Sequence, residues 1–380
     1  MTQRVFKCSE LLILMTNSNF TSGGVDEYLA VLAELVLTSE LCSVTDVLST
    51  DISNLSQIRD SSCSNGIPKY DLCILASFKD IASINLVLNL LHRADFSLVM
   101  QPGVYVDSGI VCAYELQGFE GKVLDSPIFL CITNLRHIDS VPRFDFLEAK
   151  PNLLVFLSRH ASASKIPSYC VHTQGNWGPA DLGGSPNTLG IVPVYFKNQF
   201  YVNLVASNTK HSESQPDALV FDCVHEATHH GPDLDIPAVF VELGSSIEQW
   251  VDTQYGEVLI EALVRTLQEY TGENITVELP IIFGIGGSHT CTNFLSLSAQ
   301  GLILLGHVCP NYALDYLTID MVNQAILKTT GDLTRLIVVV DYKSLNSAQR
   351  AVVSDVLSRS GVDWVKLKLL KSELRATDTL

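Results

Sequence analysis

Four short apolar runs in this chain each close on a small or polar residue and a histidine, and that repeat dictates the fold class. Residues 153–157 lead to Ser158-Arg159-His160, and a shorter piece leads to Val171-His172. Residues 281–285 lead through a glycine-rich loop to His289, and residues 302–305 lead to Gly306-His307. Runs this short, rich in Leu, Ile and Val, fit buried strands. Further strands are expected at 10–16, 70–77, 96–100, 104–105, 110–114, 127–132, 218–224, 336–341 and 362–367. Helical spacing of apolar residues predicts helices at 25–37, 80–92, 246–270, 320–329 and 347–360, and residues 58–69 and 185–189 read as loops. Such alternation implies an α/β fold, a three-layer sandwich around a mixed, mostly parallel sheet. In open α/β sheets ligands bind at the carboxyl ends of strands, so the histidines are expected to converge on one edge. A single histidine after a strand is more often structural; four favour a site.

The densest chemistry lies in His225-Glu226-Ala227-Thr228-His229-His230-Gly231-Pro232. His225-Glu226-x-x-His229 satisfies the zinc-protease pattern H-E-x-x-H, which needs a helix to aim both imidazoles at one ion. The preceding residues 218–224 favour a strand, and Gly231-Pro232 stops the element. The protease reading is therefore set aside. Nearby, Glu242 sits at a strand end just before Gly244-Ser245-Ser246 and a helix start, where it serves either as a catalytic carboxylate or as a helix cap. Clustered carboxylates and imidazoles suit hydrolysis, which needs a group to deprotonate water and groups to stabilise an oxyanion.

The chain resembles the D-aminoacyl-tRNA deacylases of the archaeal and plant type. Six blocks carry the resemblance, in family order across residues 150–330. They are Leu157-Ser158-Arg159-His160; His172-Thr173 with Gly175-Asn176-Trp177; Glu226 through Pro232 without His225; Glu242-Leu243-Gly244-Ser245-Ser246 with Gln249-Trp250; Gly284-x-Gly286-Gly287-x-His289; and Gly306-His307 with Pro310-x-Tyr312-Ala313-Leu314. The resemblance implies a fold like peptidyl-tRNA hydrolase and nucleoside phosphorylases, and hydrolysis of the ester joining a D-amino acid to the 3′ end of tRNA. It also implies zinc as cofactor. Glu226, His229, His230, Glu242 and His289 are then the expected catalytic residues, with His160, His172, His229 and His230 as candidate metal ligands. Arg159, Lys165, Asn176, Trp177, Gly284, Gly286, Gly287 and His307 are the candidate substrate-binding residues. The loop from Gly284 to Gly287 either offers backbone amides to a phosphate or ribose or makes a tight turn. Trp177 and Trp250 either stack on a terminal adenine or fill the core. Departures from the family pattern fall at Gln174, Ser288, Thr290 and Asn311. Ser288 places a Cβ where a glycine could be needed for positive φ, and Thr290 removes a ring that could stack on a base.

Composition frames these expectations. At 380 residues with 47% hydrophobic side chains the chain can bury a large core. An N-terminal part, 1–149, with an insertion near 101–141, is expected to join a catalytic part, 150–380, in one compact unit. Ten scattered cysteines without a C-x-x-C pair read as free thiols in a reducing cytoplasm; Cys223 and Cys291, near the site blocks, are minor candidates for zinc. The apolar run at 11–15 is too short for a signal peptide, and no stretch has the length of a membrane span. A monomer without membrane or DNA partners is expected. The net charge of −17 argues against an RNA substrate, because phosphate contacts need Lys and Arg. Residues 1–150 hold 10 basic and 18 acidic side chains, 151–300 hold 5 and 15, and 301–380 hold 9 and 8. Lys366, Lys368, Lys371 and Arg375 form a small basic stretch that reads as a solvated helix face. The acidity keeps two other functions open: a zinc-dependent amidohydrolase acting on small N-acyl substrates, and a non-catalytic RNA- or nucleotide-binding descendant.

Overall fold

The computed structural model describes residues 71–100, 109–144, 147, 149–270 and 278–377. The strands expected at 10–16 and 104–105, the helix at 25–37 and the loop at 58–69 lie outside them. The described elements run β1 (Leu72–Ser77), α1 (Ile81–Arg93), β2 (Ala94–Met100), β3 (Ile110–Phe119), β4 (Lys122–Thr133), β5 (Leu153–Ala161), β6 (Ser168–His172), β7 (Gly175–Asn176), β8 (Thr188–Leu189), α2 (Val194–Ser214), β9 (Asp222–His225), β10 (Ala238–Ser245), α3 (Ile247–Val251), α4 (Thr253–Glu269), β11 (Ile281–Ile285), α5 (Thr292–Ala299), β12 (Leu304–Cys309), α6 (Ile319–Leu327), β13 (Leu336–Val340), α7 (Ser347–Ser360), β14 (Trp364–Lys366) and α8 (Leu367–Thr377).

The expected α/β layering is present, distributed over a large and a smaller sheet instead of one. Eight strands in the order β2-β3-β4-β1-β5-β10-β6-β9 form a mixed sheet, and β12-β11-β13-β14 form a second. All three pairings of the second sheet are parallel. The boundary expected at 149/150 falls between β4 and β5, inside the eight-stranded sheet, so both parts share one core.

Strand alternation sorts the side chains of the large sheet. One face presents Ile74, Val155, Leu157, Val171, Val239 and Val241 to α1, α2 and α4. The opposite face carries Leu154 and Phe156 on β5 and Ala238 and Phe240 on β10. That face then turns polar towards the strand ends, at Ser158 and His160 on β5 and Glu242 on β10. Asp80 caps α1 by accepting from Ser83 N at 3.2 Å, and the same carboxylate accepts from Arg159 N at 2.9 Å. The small sheet is covered on both faces: α6 and α7 pack on Phe283, Ile285, Val338 and Val340, while α5 and α8 pack on Ile282 and Val339.

Helix α2 has no counterpart among the expected elements. Its buried face mixes Phe196, Phe200 and Leu204 with Lys197, Asn198 and Asn203, which blurs the apolar period. Asn203 donates to Thr266 Oγ1 and Glu269 Oε2 on α4, while the other two serve neighbouring backbone. Asn198 accepts from Leu305 N at 2.8 Å and donates to Leu305 O at 3.1 Å, and Lys197 Nζ donates to Gly306 O at 2.7 Å. Together they satisfy the open edge of β12, which would otherwise expose unpaired groups. The single helix expected over 246–270 is two, because Asp252 leaves the helix and caps α4 through Gln254 N. The strand expected at 362–367 is cut to three residues by α8.

Candidate active site

Three adjacent strands lay out the floor of the site. The antiparallel register of β10 with β6 sets Glu242 opposite Cys170 and Phe240 opposite His172. The parallel register of β10 with β5 sets Glu242 beside Ser158 and Gly244 beside His160. All these side chains share one face. The rings of His172, Phe240 and Phe156 form a ladder, with centroids 5.0 and 4.2 Å apart and planes within 8° of parallel. Gly244 makes room for His160, since a Cβ there would lie 2.7 Å from His160 Cβ.

The segment after β9 crosses from the large sheet to the small one. His225 points to the helical face, where its Nε2 meets Ser298 Oγ at 2.9 Å and Tyr201 packs on the ring. Glu226 therefore faces the opposite way, and the H-E-x-x-H pattern is coincidental, as its strand setting implied. Glu226 N donates to Val171 O, Ala227 N to His289 O and Thr228 N to Val308 O, and Gly175 N donates to His230 O. Behind His230 the loop packs too tightly for any side chain: a Cβ on Gly231 would lie 2.3 Å from Gly184 N.

Eight side chains converge at this seam: His160, Cys170, His172, Glu226, His229, His230, Glu242 and His289. Within it, potential ligand atoms of His172, His229 and His230 all lie within 4.8 Å of one another. His229 Nδ1 donates to Ala227 O at 2.8 Å and His230 Nδ1 to Gly231 O at 2.6 Å. A carbonyl only accepts, so in the neutral rings each Nε2 keeps its lone pair free. Burial, reinforced by neighbouring imidazoles, pushes His229 well below the usual histidine range and His230 down to about 4. Both nitrogens of His172 are buried; Nδ1 has no hydrogen-bond partner and Nε2 has only Glu242 Oε1, at 3.5 Å. This donor set fits a zinc ion, which takes neutral imidazole nitrogens and is commonly held by three protein ligands in catalytic sites.

The carboxylates carry the opposite charge logic. His160 Nδ1 lies 3.5 Å from both Glu226 Oε1 and Glu242 Oε2, and His172 Nε2 lies 3.5 Å from Glu242 Oε1. Burial opposes ionisation of Glu242, but His160 and His172 outweigh it and hold the acid down to about 2. Glu226 is likewise held ionised against burial, by His160, His289 and His229. Burial also works against a charge on His160, yet Cys170 and the two carboxylates raise it well above the usual histidine range. Glu242 is not the helix cap: Ser246 caps α3 in a reciprocal box with Gln249.

His289 enters from the other sheet. Its Nε2 lies 3.0 Å from Glu226 Oε1 and its Nδ1 2.9 Å from Tyr312 Oη. The Glu226 side chain is fully buried, that of His289 is 35% exposed and Tyr312 is 61% exposed. A line of polar groups thus runs from the floor to solvent.

The match to known sequences decides the family: residues 147–365, more than half of the chain, match the D-aminoacyl-tRNA deacylase family. The chain belongs to that family. D-aminoacyl-tRNA deacylases of Thermococcus kodakarensis and Ignicoccus hospitalis are 31% and 33% identical, over 57% and 58% of this chain and 74% and 84% of theirs. The D-aminoacyl-tRNA deacylase of Methanosarcina barkeri is 29% identical over 81% of this chain and 92% of its own. A solved structure of a conserved protein of unknown function superposes with a TM-score of 0.63 at 25% identity, covering 80% of this chain and 97% of that one.

Several residues expected to bind substrate in this deacylase-family chain are placed elsewhere. His307 is wholly buried, its Nδ1 2.9 Å from Thr228 Oγ1. Trp177 stacks on Phe283 and donates to Val308 O, so its core reading holds. Asn176 donates to Gly183 O and Ser185 O, bracing a loop. The glycine-rich loop is a turn and not an anion cradle. Gly286 N donates to Cys309 O, and Gly287 N is held by Asn311 Oδ1 and Ser344 Oγ. Gly284 is buried in β11 against Phe294. The positive φ values belong to Gly286 and Gly287, at 97° and 92°, and not to Ser288. The departure at Ser288 therefore carries no backbone cost. Arg159 and Lys165 are exposed beside the floor, and Arg159 lies over the Trp250 ring at 5.4 Å. Cys170, not Cys223 or Cys291, is the thiol in the cluster. Its position two residues before His172 on a strand was the available signal. Tyr312, in the block that begins at Pro310, joins the site through His289.

Proposed function

We propose that this chain hydrolyses the ester bond of D-aminoacyl-tRNA, releasing a free D-amino acid and tRNA. Family membership names the reaction; the line Glu226–His289–Tyr312 rising from the floor beside His229 and His230 is the observation that carries the chemistry. Glu226, fixed as a carboxylate, accepts the Nε2 proton of His289 in a hydrogen bond. That choice of tautomer turns the Nδ1 lone pair towards the Tyr312 hydroxyl and the opening. There His289 takes a proton from the attacking water and returns it to the departing ribose oxygen, leaving the ring unchanged over the cycle. His160 acts as the counter-charge that lets two buried carboxylates stay ionised side by side, and we read it so instead of as a metal ligand. His172, His229 and His230 would hold zinc, which when bound acidifies a water and polarises an ester carbonyl. Arg159 and Lys165 stand at the rim for the 3′ end of the tRNA.

The free thiols at Cys73, Cys131, Cys170, Cys223, Cys291 and Cys309 support a cytoplasmic setting. Among the described residues no helix is long and apolar enough to cross a membrane. The chain is read as a monomer acting on tRNA, without a DNA or membrane partner.

The test is release of D-tyrosine from D-tyrosyl-tRNA against L-tyrosyl-tRNA, with and without chelator, beside His229→Ala. Turnover of the D ester alone, abolished by chelator and by the substitution, is expected. Folded protein that cleaves neither ester overturns the reading and moves attention to small N-acyl substrates.

A further inference from the structure

The small sheet carries its strand ends to one edge, and that edge is basic. Because β11, β13 and β14 are parallel, Ile285, Val340 and Lys366 stand in register. Ile285 opens the turn that delivers His289. Two inter-strand steps separate it from Lys366, roughly 10 Å, about three nucleotide rises of a single strand.

Along this edge the chain places Tyr342 and Lys343 after β13, Arg350 on α7 and Lys366 at the end of β14. Tyr342 is set by three neighbours. The Arg350 guanidinium and the Lys366 ammonium each lie 4.5 Å from its ring centroid, and Trp364 stacks at 6.3 Å. Arg350 also donates to Tyr342 O through Nε and Nη2. Helix α8 continues the surface. Leu367 and Leu370 are buried in the apolar cluster that also holds Ala227 of the site loop. Lys368, Lys371 and Arg375 recur at three- and four-residue spacing on the neighbouring stripe. Between 341 and 375 there are seven basic residues against four acidic ones, a balance of +3 in a chain of net charge −17, and Asp341 is buried and bonded to Asn293. Another of the four, Asp355, is paired with Arg359. Among the described residues no carboxylate pairs with Lys343, Lys366, Lys368 or Lys371.

We propose that this edge, led by Lys343, Lys366, Lys368 and Lys371, seats the sugar-phosphate backbone of the acceptor end of tRNA. The inference rests on the proposed reaction for its substrate and adds the surface that holds it. A chain this acidic repels RNA over most of its surface, so a local excess of cations next to the catalytic loop fixes the direction from which a polyanion enters. Phosphate contacts of this kind set position without reading sequence.

The test uses the full chain carrying Lys343→Ala, Lys366→Ala and Lys368→Ala together, with the triple Lys→Arg variant as control. Binding of uncharged tRNA is followed against salt, and hydrolysis is compared between D-tyrosyl-tRNA and the D-tyrosyl ester of adenosine. The alanine variant is expected to lose about tenfold in tRNA affinity. Its plot of log affinity against log salt should flatten by about 2 to 3, near one per lost phosphate contact. Its KM for D-tyrosyl-tRNA should rise while cleavage of the adenosine ester stays unchanged, and the arginine variant should behave as the parent. A folded alanine variant with unaltered affinity and salt slope overturns the proposal, even if the ester is cleaved. Conversely, binding that depends on the lysines in a protein that cleaves no D ester sinks the reaction and leaves the surface standing.

Discussion

The two sheets contribute to the site in opposite ways. The large sheet supplies His160, Cys170, His172 and Glu242 directly from three neighbouring strands, where register fixes each side chain and burial is nearly complete. The small sheet supplies His289 and Tyr312 from the loop after β11 and the 3₁₀ turn Asn311–Tyr316, and both reach solvent. A buried array of charges and lone pairs suits holding something still, because low polarity strengthens each interaction and nothing can rearrange. An open imidazole suits moving protons, because water must arrive and leave. Glu226 touches both halves, bonding the buried His160 side and the exposed His289 side.

That division can be broken at Glu226 first. Glu226→Gln keeps the shape but removes the charge that supports His160 and orients His289. Steady-state kinetics are expected to show kcat down by about 10³-fold, in the range of lost acid–base catalysis. His289→Ala should lower kcat by about 10²-fold, yet denaturant melts should fall by only about 1 kcal/mol, the low end for a buried group that loses one partner, because His160 and His229 still support Glu226. A large stability loss there would mean the rim is structural and the comparison false.

The seam between the sheets is probed by Lys197. Burial pushes its amine down to about 7, against about 10.4 in the unfolded chain. Between those values the unfolded chain binds a proton that the folded chain does not, so stability rises with pH across the window, by at most about 1.4 kcal/mol per pH unit. Below about 7 both states carry the proton and the slope vanishes. Melts between pH 7 and 10 should show this rise in the parent and its absence in Lys197→Met. Smallest of all, Ser288→Gly should leave kcat/KM within about twofold, because Ser288 has an ordinary φ and its hydroxyl bonds only Thr290 and Thr292.

Much of this was legible in the sequence, for a reason that differs between the two halves. Residues 153–160 and 238–242 announce a strand with a polar end, and alternation then fixes which side chains share a face. The same alternation separates His225 from Glu226 and disposes of the zinc-protease pattern. What could not be read is partnership across the chain. Nothing near Gly286-Gly287 says that Asn311 and Ser344 will occupy the Gly287 amide, so the loop looks free for a phosphate. Nothing near His307 says that Thr228 will seal it in. Helix α2 was hidden because Lys197, Asn198 and Asn203 point inwards, where composition expects apolar residues. Two of the residues that spoil its period, Lys197 and Asn198, close the edge of β12, and the third, Asn203, ties α2 to α4.

The grip of Ser344 on the Gly287 amide has a consequence for the order in which this protein comes into being. His160 is translated 184 residues before Ser344, roughly ten to forty seconds earlier at about 5–20 residues per second. Until Ser344 has left the ribosome, the loop that presents His289 is held by Asn311, Cys309 and Ala227 but lacks the second acceptor on the Gly287 amide. The growing chain is then harmless to aminoacyl esters in the machine that makes it. Stalled chains ending at residue 330 should release no amino acid, whereas those exposing residue 377 should. Competence comes only once the segment that carries Ser344 has emerged, so a product terminated before it is a silent one.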